Sequence, residues 1–403
     1  MIIQAYFSDL FRWGPVTVVM LAATGIWIDQ RLHLFKTNHL CLTIRSKVSN
    51  FCSNNYLFLQ LAIPLALVVF ILFVSGRNGI IIGPDTEARF EVARQILDRT
   101  ALQKASSDRP PVLPFLVALT HLLFDTSFER SIQYINGLLF VGNVLLVFKI
   151  VFTSTRSGFL SYMGLITVFL SGHFRLLHVQ SGEEPMHIYV TLLSMFFIMR
   201  YMRNKNITEL LTSAFFASIA PLVKTAGIVN PIAFCLVAVL MYKNKTISTF
   251  QLVLLGISSV LFLSAWQLRH WLVGEPIHYA PVILSDVYAR IWPTVSHAVR
   301  IIAHYMLAIE IGSIIYITAY LAFVTFVSLA IYRYLDSNII SDLVVCSLYH
   351  YVIFLGVVFL VVISPASVMG LLRHLAAAFV CAIPTVYLML QIVSERLAQN
   401  EGA

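Results

Sequence analysis

Stretches of roughly 20 apolar residues recur along this sequence from one end to the other, and each is long enough to cross a hydrocarbon layer of about 30 Å as a helix. A water-soluble domain has no interior large enough to take so many of them. Only 11% of the 403 residues are charged and 59% are hydrophobic, against about 25% charged residues in an ordinary soluble domain. The chain therefore reads as an all-α polytopic membrane protein, because helices satisfy every backbone group within one segment. Spans are expected at 56–75, 132–151, 157–172, 186–203, 208–222, 225–242, 247–267, 305–332, 341–363 and 371–392. Val112 to Phe124, opened by Pro110-Pro111 and carrying Pro114, is too short to be counted with them and reads as a bent or half-buried helix. Residues 15–28, between Arg12 and Asp29, read as a short span or an interfacial helix, without the small-residue cleavage site of a signal peptide. With these two segments the bundle has about 10–12 transmembrane helices.

The formal charge of +8 does not point to nucleic acid, since the 27 Lys and Arg are scattered singly and in pairs between apolar runs. They read as anchors and orientation signals. Lys149 with Arg156, then Arg200, Arg203 and Lys205, then Lys243 and Lys245, then Arg333, mark alternate helix ends, which the positive-inside rule assigns to the cytoplasm. Residues 1–55 and the tail 393–403 fall on that side, and 56–392 form the membrane module. The outer face then receives 76–131, a loop at 173–185, the turn at Lys224, a loop at 268–304 and the turn before Arg373. From Asp85 to Leu102 the residues Phe90, Val92, Ala93, Ile96, Leu97 and Ala101 recur at helical spacing, as in an amphipathic helix lying on a membrane. Trp271, Tyr279, Tyr288 and Trp292 suggest a second interfacial structure at 268–304.

Residues able to do chemistry gather on this outer side. Asp85 and Glu87 follow the first outward helix. A carboxylate at an apolar boundary is a better proton acceptor, although acids are also favoured at a helix start. Glu183 and Glu184 precede the helix from 186, where one acid suits a cap and the other is available to orient or deprotonate a hydroxyl. Lys224 stands between two apolar helices and Arg373-His374 opens the last one. A Lys point charge and an Arg fork at neighbouring helix ends can together hold a phosphate, or simply contact lipid headgroups. Glu310, within an apolar run, has Arg300 and His304 as candidate partners. No metal-ligand spacing is found among the 12 histidines and no P-loop, nucleophile elbow or dinucleotide fingerprint occurs, so the sequence calls for no cofactor and leaves a divalent metal open. Cys41, Cys52, Cys235, Cys346 and Cys381 show no paired spacing and read as packing residues.

The succession Asp85-Thr86-Glu87, an amphipathic stretch, Arg109-Pro110-Pro111-Val112-Leu113-Pro114, Ser181-Gly182-Glu183-Glu184, Leu222-Val223-Lys224-Thr225-Ala226-Gly227 and Arg373-His374 resembles the GT-C superfamily of membrane glycosyltransferases. It looks most like the branch of protein O-mannosyltransferases and the aminoarabinose transferase of lipid A, over roughly 56–392. The resemblance implies a GT-C-like bundle that transfers a sugar from a polyprenyl-phosphate-linked donor to a hydroxyl at the outer face, with inversion. By position it implies Asp85 as the base, Glu183 or Glu184 as a second acid, and Arg109, Lys224 and Arg373 on the lipid-linked phosphate, with His374 where Tyr is common. The acceptor, whether glycan, lipid or protein, is open. The leaning is toward a bacterial inner membrane with the site facing outward. A polysaccharide polymerase or ligase uses the same donors. A lipid-linked sugar transporter or flippase would instead place polar residues at midplane and show internal repeats, and a non-catalytic scaffold would use the same residues as caps and anchors.

Overall fold

The computed structural model describes residues 81–83, 85–98, 110–273, 291–299, 301, 338–363 and 371–400. The expected spans 56–75 and 305–332 lie outside the described residues, as do segment 1–55, Arg109, Arg300, His304, Glu310 and most of 268–304. Among the described residues the regular elements are helices, with an isolated parallel bridge between Ile81 and Gln180.

The helices are α1 (Thr86–Leu97), α2 (Val112–Phe124), α3 (Phe128–Thr155), α4 (Gly158–Leu170), α5 (Gly172–Val179), α6 (Glu184–Asn204), α7 (Ile207–Val223), α8 (Val229–Lys243), α9 (Thr249–Val273), α10 (Asn338–Ile363), α11 (Leu371–His374) and α12 (Ala376–Asn400). A 3-10 turn, Thr225–Ile228, joins α7 to α8, and 291–299 is a further helical stretch. Among the described residues, four segments can cross a membrane by length and apolarity: Phe128–Thr155, Thr225–Lys243, Ser341–Val362 and Ala376–Glu395. The pair α4 and α5, bent by 60°, makes a fifth if it is one broken span. The fold is thus a polytopic all-α membrane protein.

The expected span at 247–267 forms as the 25-residue helix α9, whereas those at 186–203 and 208–222 form as helices but fall short of that standard, for different reasons. The central helix α6 opens on two acids and carries Thr191 and Ser194 inside, which protein rather than lipid surrounds. The helix α7 is simply short, at 17 residues. The expected loop at 173–185 is replaced over much of its length by α5. Its position between two apolar runs suggested a loop, yet His178 is buried, with Nδ1 at 2.8 Å from the Phe174 carbonyl and Nε2 at 3.2 Å from Asn143. Ser171 starts this helix by accepting from the Phe174 amide.

Helix α6 forms the axis of the bundle, packed against α3, α7, α10 and α12. Leu192, Met195, Ile198 and Met199 on α6 share one core with Phe148, Phe234, Tyr349, Phe379 and Tyr387. A smaller cluster at one end joins Phe90, Leu113, Val117, Ile132, Met186, Val190 and Val223, and so fastens α1 and α2 onto α3, α6 and α7. The amphipathic pattern expected from Asp85 does form α1, and α2 packs along it. The opposite end is closed by cations. Arg156, Lys205 and Lys245 take left-handed backbone at helix ends, where positive charge suits the dipole. Arg203 donates to the Thr153 carbonyl and pairs with Asp342, tying α3, α6 and α10 together there.

The turn between α7 and α8 leaves no room for a side chain at Gly227, where an added Cβ would overlap the Ala220 carbonyl, a backbone atom that cannot swing aside. Gly227→Ala is expected to cost about 1–3 kcal/mol by overpacking. Gly256→Ala, on α9 with nothing within 4 Å of the new methyl, should be neutral or slightly stabilising. Thermal unfolding in detergent checks both, and equal behaviour of the two variants would contradict the close approach.

Candidate functional site

The site assembles where the N-terminal ends of α1 and α6 meet the C-terminal end of α7 and the short helix α11. A backbone staple sets the first contact. The Ile81 amide donates to the Val179 carbonyl at 2.9 Å, and the Ser181 amide to the Ile81 carbonyl at 3.1 Å. The Thr86 and Ser181 hydroxyls are hydrogen-bonded to each other, and the Gly83 amide donates to Thr86 Oγ1 at 2.9 Å. Residues far apart in sequence, Asp85 and Glu183, are thereby brought together. From the other side α3 holds the same loop, through Asn136 donating to the Gln180 carbonyl at 2.7 Å and Asn143 to the Pro185 carbonyl at 2.9 Å.

Two acids at the head of α6 then take different cations. Arg89 of α1 grips Glu183 with two donors, its Nε on Oε1 and its Nη2 on Oε2 at 2.8 Å, and also donates to the Ser181 carbonyl at 3.0 Å. Both side chains are buried, so each charge is compensated by the other. Glu184 Oε1 accepts from Lys224 Nζ and from Arg373 Nε, each at 2.9 Å. Lys224 reaches it because α7 stops there: its backbone is extended, with φ −154°, between the last turn of α7 and the 3-10 turn. Gly182 allows the acid and the guanidinium to crowd together, since a Cβ at that position would overlap the Glu184 carboxylate and touch Arg373.

Glu184 precedes the apolar body of α6. Burial pushes its carboxyl up, but the charges of Lys224 and Arg373 and their hydrogen bonds outweigh this and hold it below the ordinary carboxylate range. Burial likewise pulls Arg373 down, and Glu184 more than restores it, so the guanidinium stays charged. His374 is held down at about 3, first by burial and then by the charge of Lys224, so its imidazole is neutral near pH 7. Glu184, Lys224 and Arg373 together carry one net positive charge. Arg89 and Glu183 cancel.

Of the residues singled out from the sequence, Asp85, Glu183, Glu184, Lys224, Arg373 and His374 occupy this one end of the bundle. Glu87 does not join them: it is exposed and bonds to Arg94 Nη2 at 2.8 Å, because helical spacing carries it round to the outer side of α1. Asp85 and Glu183 do stand at N-cap positions, yet neither side chain makes the capping hydrogen bond. Asp85 lies 3.9 Å from Arg89 with 37% of its side chain exposed, whereas Glu183 and Glu184 are 7% and 2% exposed. The accessible carboxylate of the three is therefore Asp85. Arg89, His187 and Asn230 escaped the sequence reading. Arg89 had a signal, a cation next to Phe90 on the apolar stripe of an amphipathic helix, which lipid would not tolerate and a buried acid does. Among the described residues no group of His, Cys, Asp and Glu is arranged to hold a metal ion.

A family model described as dolichyl-phosphate-mannose-protein mannosyltransferase matches residues 108–268. Among solved structures the chain is similar to ArnT from Cupriavidus metallidurans bound to undecaprenyl phosphate, at 12% identity and a TM-score of 0.54 over 83% of this chain and 60% of that one. It is similar to the apo state of the same protein at 13% identity, with a TM-score of 0.54 over 86% of this chain and 60% of that one. The chain thus spans 60% of the length of the ArnT chains it matches. A sequence search of curated proteins finds no match. The likeness to ArnT is one of fold.

Leaving Glu183 buried without its partner is costly. Arg89→Met is expected to destabilise the protein by about 3–5 kcal/mol, and adding Glu183→Gln should recover most of that loss. Unfolding midpoints of the single and double variants check the coupling. Strictly additive effects would show that the two-pronged pair does not carry the energy assigned to it.

Proposed function

We propose that this protein is a GT-C-type glycosyltransferase that moves a sugar from a polyprenyl-phosphate-linked donor to a hydroxyl acceptor at the outer face of the membrane, with inversion and with Asp85 as base. The observation that carries this reading is the Glu184–Lys224–Arg373 cluster. It has two cations on one buried carboxylate, one charge in surplus, and an exposed carboxylate, Asp85, at the same end of the bundle. The family match over 108–268 and the likeness to ArnT support it.

A sugar joined to lipid through phosphate is a phosphodiester with one negative charge, and Lys224 and Arg373 are the cations placed to meet it. When the bond between the anomeric carbon and the phosphate oxygen breaks, the leaving phosphate gains a second negative charge. Lys224 and Arg373 stabilise that developing charge more in the transition state than in the bound donor. The acceptor hydroxyl attacks the anomeric carbon from the opposite face, forms the new C–O bond and gives its proton to Asp85. Glu183 and Glu184 are poor candidates for this proton, since each is buried and already bonded to cations. The lipid tail enters sideways from the bilayer, so the phosphate arrives at the headgroup depth at which these helices end. A transporter reading is less favoured, because the ionisable cluster sits at one end of the bundle and not at its middle. The outward orientation follows the Lys and Arg at the other end, and a bacterial inner membrane fits it.

The test uses protein in lipid nanodiscs with radiolabelled polyprenyl-phosphate sugars and a crude membrane acceptor fraction. Wild type is expected to transfer or hydrolyse donor, and Asp85→Asn to lose about 10²–10⁴-fold in rate while still binding donor. A wild type that binds the donors and consumes none of them would overturn the enzymatic reading.

A further inference from the structure

Next to the phosphate-binding cluster lies a set of buried polar atoms that the mechanism above does not use. His187 stands one turn along α6 from Glu184, and Thr191 one turn further. Asn230, at the start of α8, donates from Nδ2 to Thr191 Oγ1 at 2.7 Å. His187 and Asn230 are 2% and 0% exposed. Four polar atoms in this neighbourhood have no hydrogen-bond partner: Glu184 Oε2, His187 Nε2, Asn230 Oδ1 and Nδ1 of His374 on α11. Buried polar atoms are partnered in roughly 90% of cases or more. Their gathering on two turns of α6, the first turn of α8 and α11 singles this place out.

The chemistry of the four atoms identifies what would satisfy them. Two are oxygen acceptors, and two are imidazole nitrogens that donate or accept according to tautomer. An apolar tail offers them nothing, and an isolated phosphate would repel the Glu184 oxygen. A ring bearing several hydroxyls, each able to donate and accept, suits all four. Lys224 and Arg373 stand beside them to hold an anion. A hydroxyl-rich ring directly attached to a phosphate meets both demands.

We propose that His187 and Asn230 bind the hydroxyls of the donor's sugar and set the enzyme's preference among sugars, which rests on the transferase reading given above. The pair acts on the ring, while Lys224 and Arg373 act on the phosphate.

The experiment measures binding of three ligands to wild type and variants in nanodiscs: polyprenyl phosphate, a polyprenyl-phosphate hexose and a polyprenyl-phosphate pentose. Wild type should bind one of the two sugar-bearing lipids at least about tenfold more tightly than polyprenyl phosphate, a difference one or two well-made hydrogen bonds supply. His187→Ala and Asn230→Ala should each abolish most of that preference and leave polyprenyl phosphate affinity within about twofold. Where an Ala variant fails to fold, His187→Gln and Asn230→Ser are read on the same ratio, and Ser347→Ala, removing another buried unpartnered polar atom from α10 outside the site, should leave the ratio unchanged. Retention of the full preference in both variants, or equal binding of all three lipids by wild type, would overturn the assignment of the sugar site while leaving the phosphate cluster standing. Failure of wild type to bind any of the three would remove the transferase reading itself, and this inference with it.

Discussion

A carboxylate buried at the head of a central helix has to be neutralised, and the way Glu184 is neutralised organises this end of the molecule. One oxygen takes both Lys224 from the α7–α8 turn and Arg373 from α11. Each cation comes from an element that must stop in the right place: α7 breaks so that Lys224 turns inward, and α11 is a four-residue helix ahead of α12. Lys224 could not stay buried alone, since an unpaired charge away from water costs several kcal/mol. The acid therefore holds two positive charges in place and leaves their sum one unit above zero.

The pair next door has a different consequence. Arg89 and Glu183 cancel and are buried, so their contribution is to fix α1 against α6. This is what leaves Asp85, a turn earlier on the chain, near the cluster and still reachable from solvent. The opposite end of the bundle shows the complementary arrangement, with cations at helix C-termini and Arg203 bridging α3 to Asp342 on α10. The two ends differ in what their charges face. At one end they face each other across a buried site, and at the other they close helices.

Much of this was legible in the sequence because its signals are long or local. Apolar runs gave the helices of α3, α8 and α10 to within a few residues and placed α12 with its bounds shifted by five and eight residues, and alternation of cations gave the two ends. Asp85, Glu184, Lys224 and Arg373 stood out because a charge beside apolar runs is conspicuous. Their partnership was not legible: that Lys224 and Arg373 meet on one oxygen of Glu184 depends on contacts 40 and 189 positions apart. The helix α5 was missed because 173–185 lies between two apolar runs and reads as their connection, while His178 is buried against Asn143 of α3. Glu87 looked equivalent to Asp85 in sequence, and two residues of helical rotation send it to the surface. His187 and Asn230 gave no signal at all, since lone polar residues in apolar helices are ordinary packing features until their unpartnered atoms are seen.

The central claim is that Lys224 and Arg373, held by Glu184, receive the phosphate of a lipid-linked sugar. Determining the structure of the protein in nanodiscs with bound polyprenyl phosphate tests it most directly. The account predicts phosphate oxygens within hydrogen-bond distance of Lys224 Nζ and the Arg373 guanidinium, with Glu184 still touching both. Phosphate bound elsewhere, with the three side chains closed on one another as they are now, would contradict it.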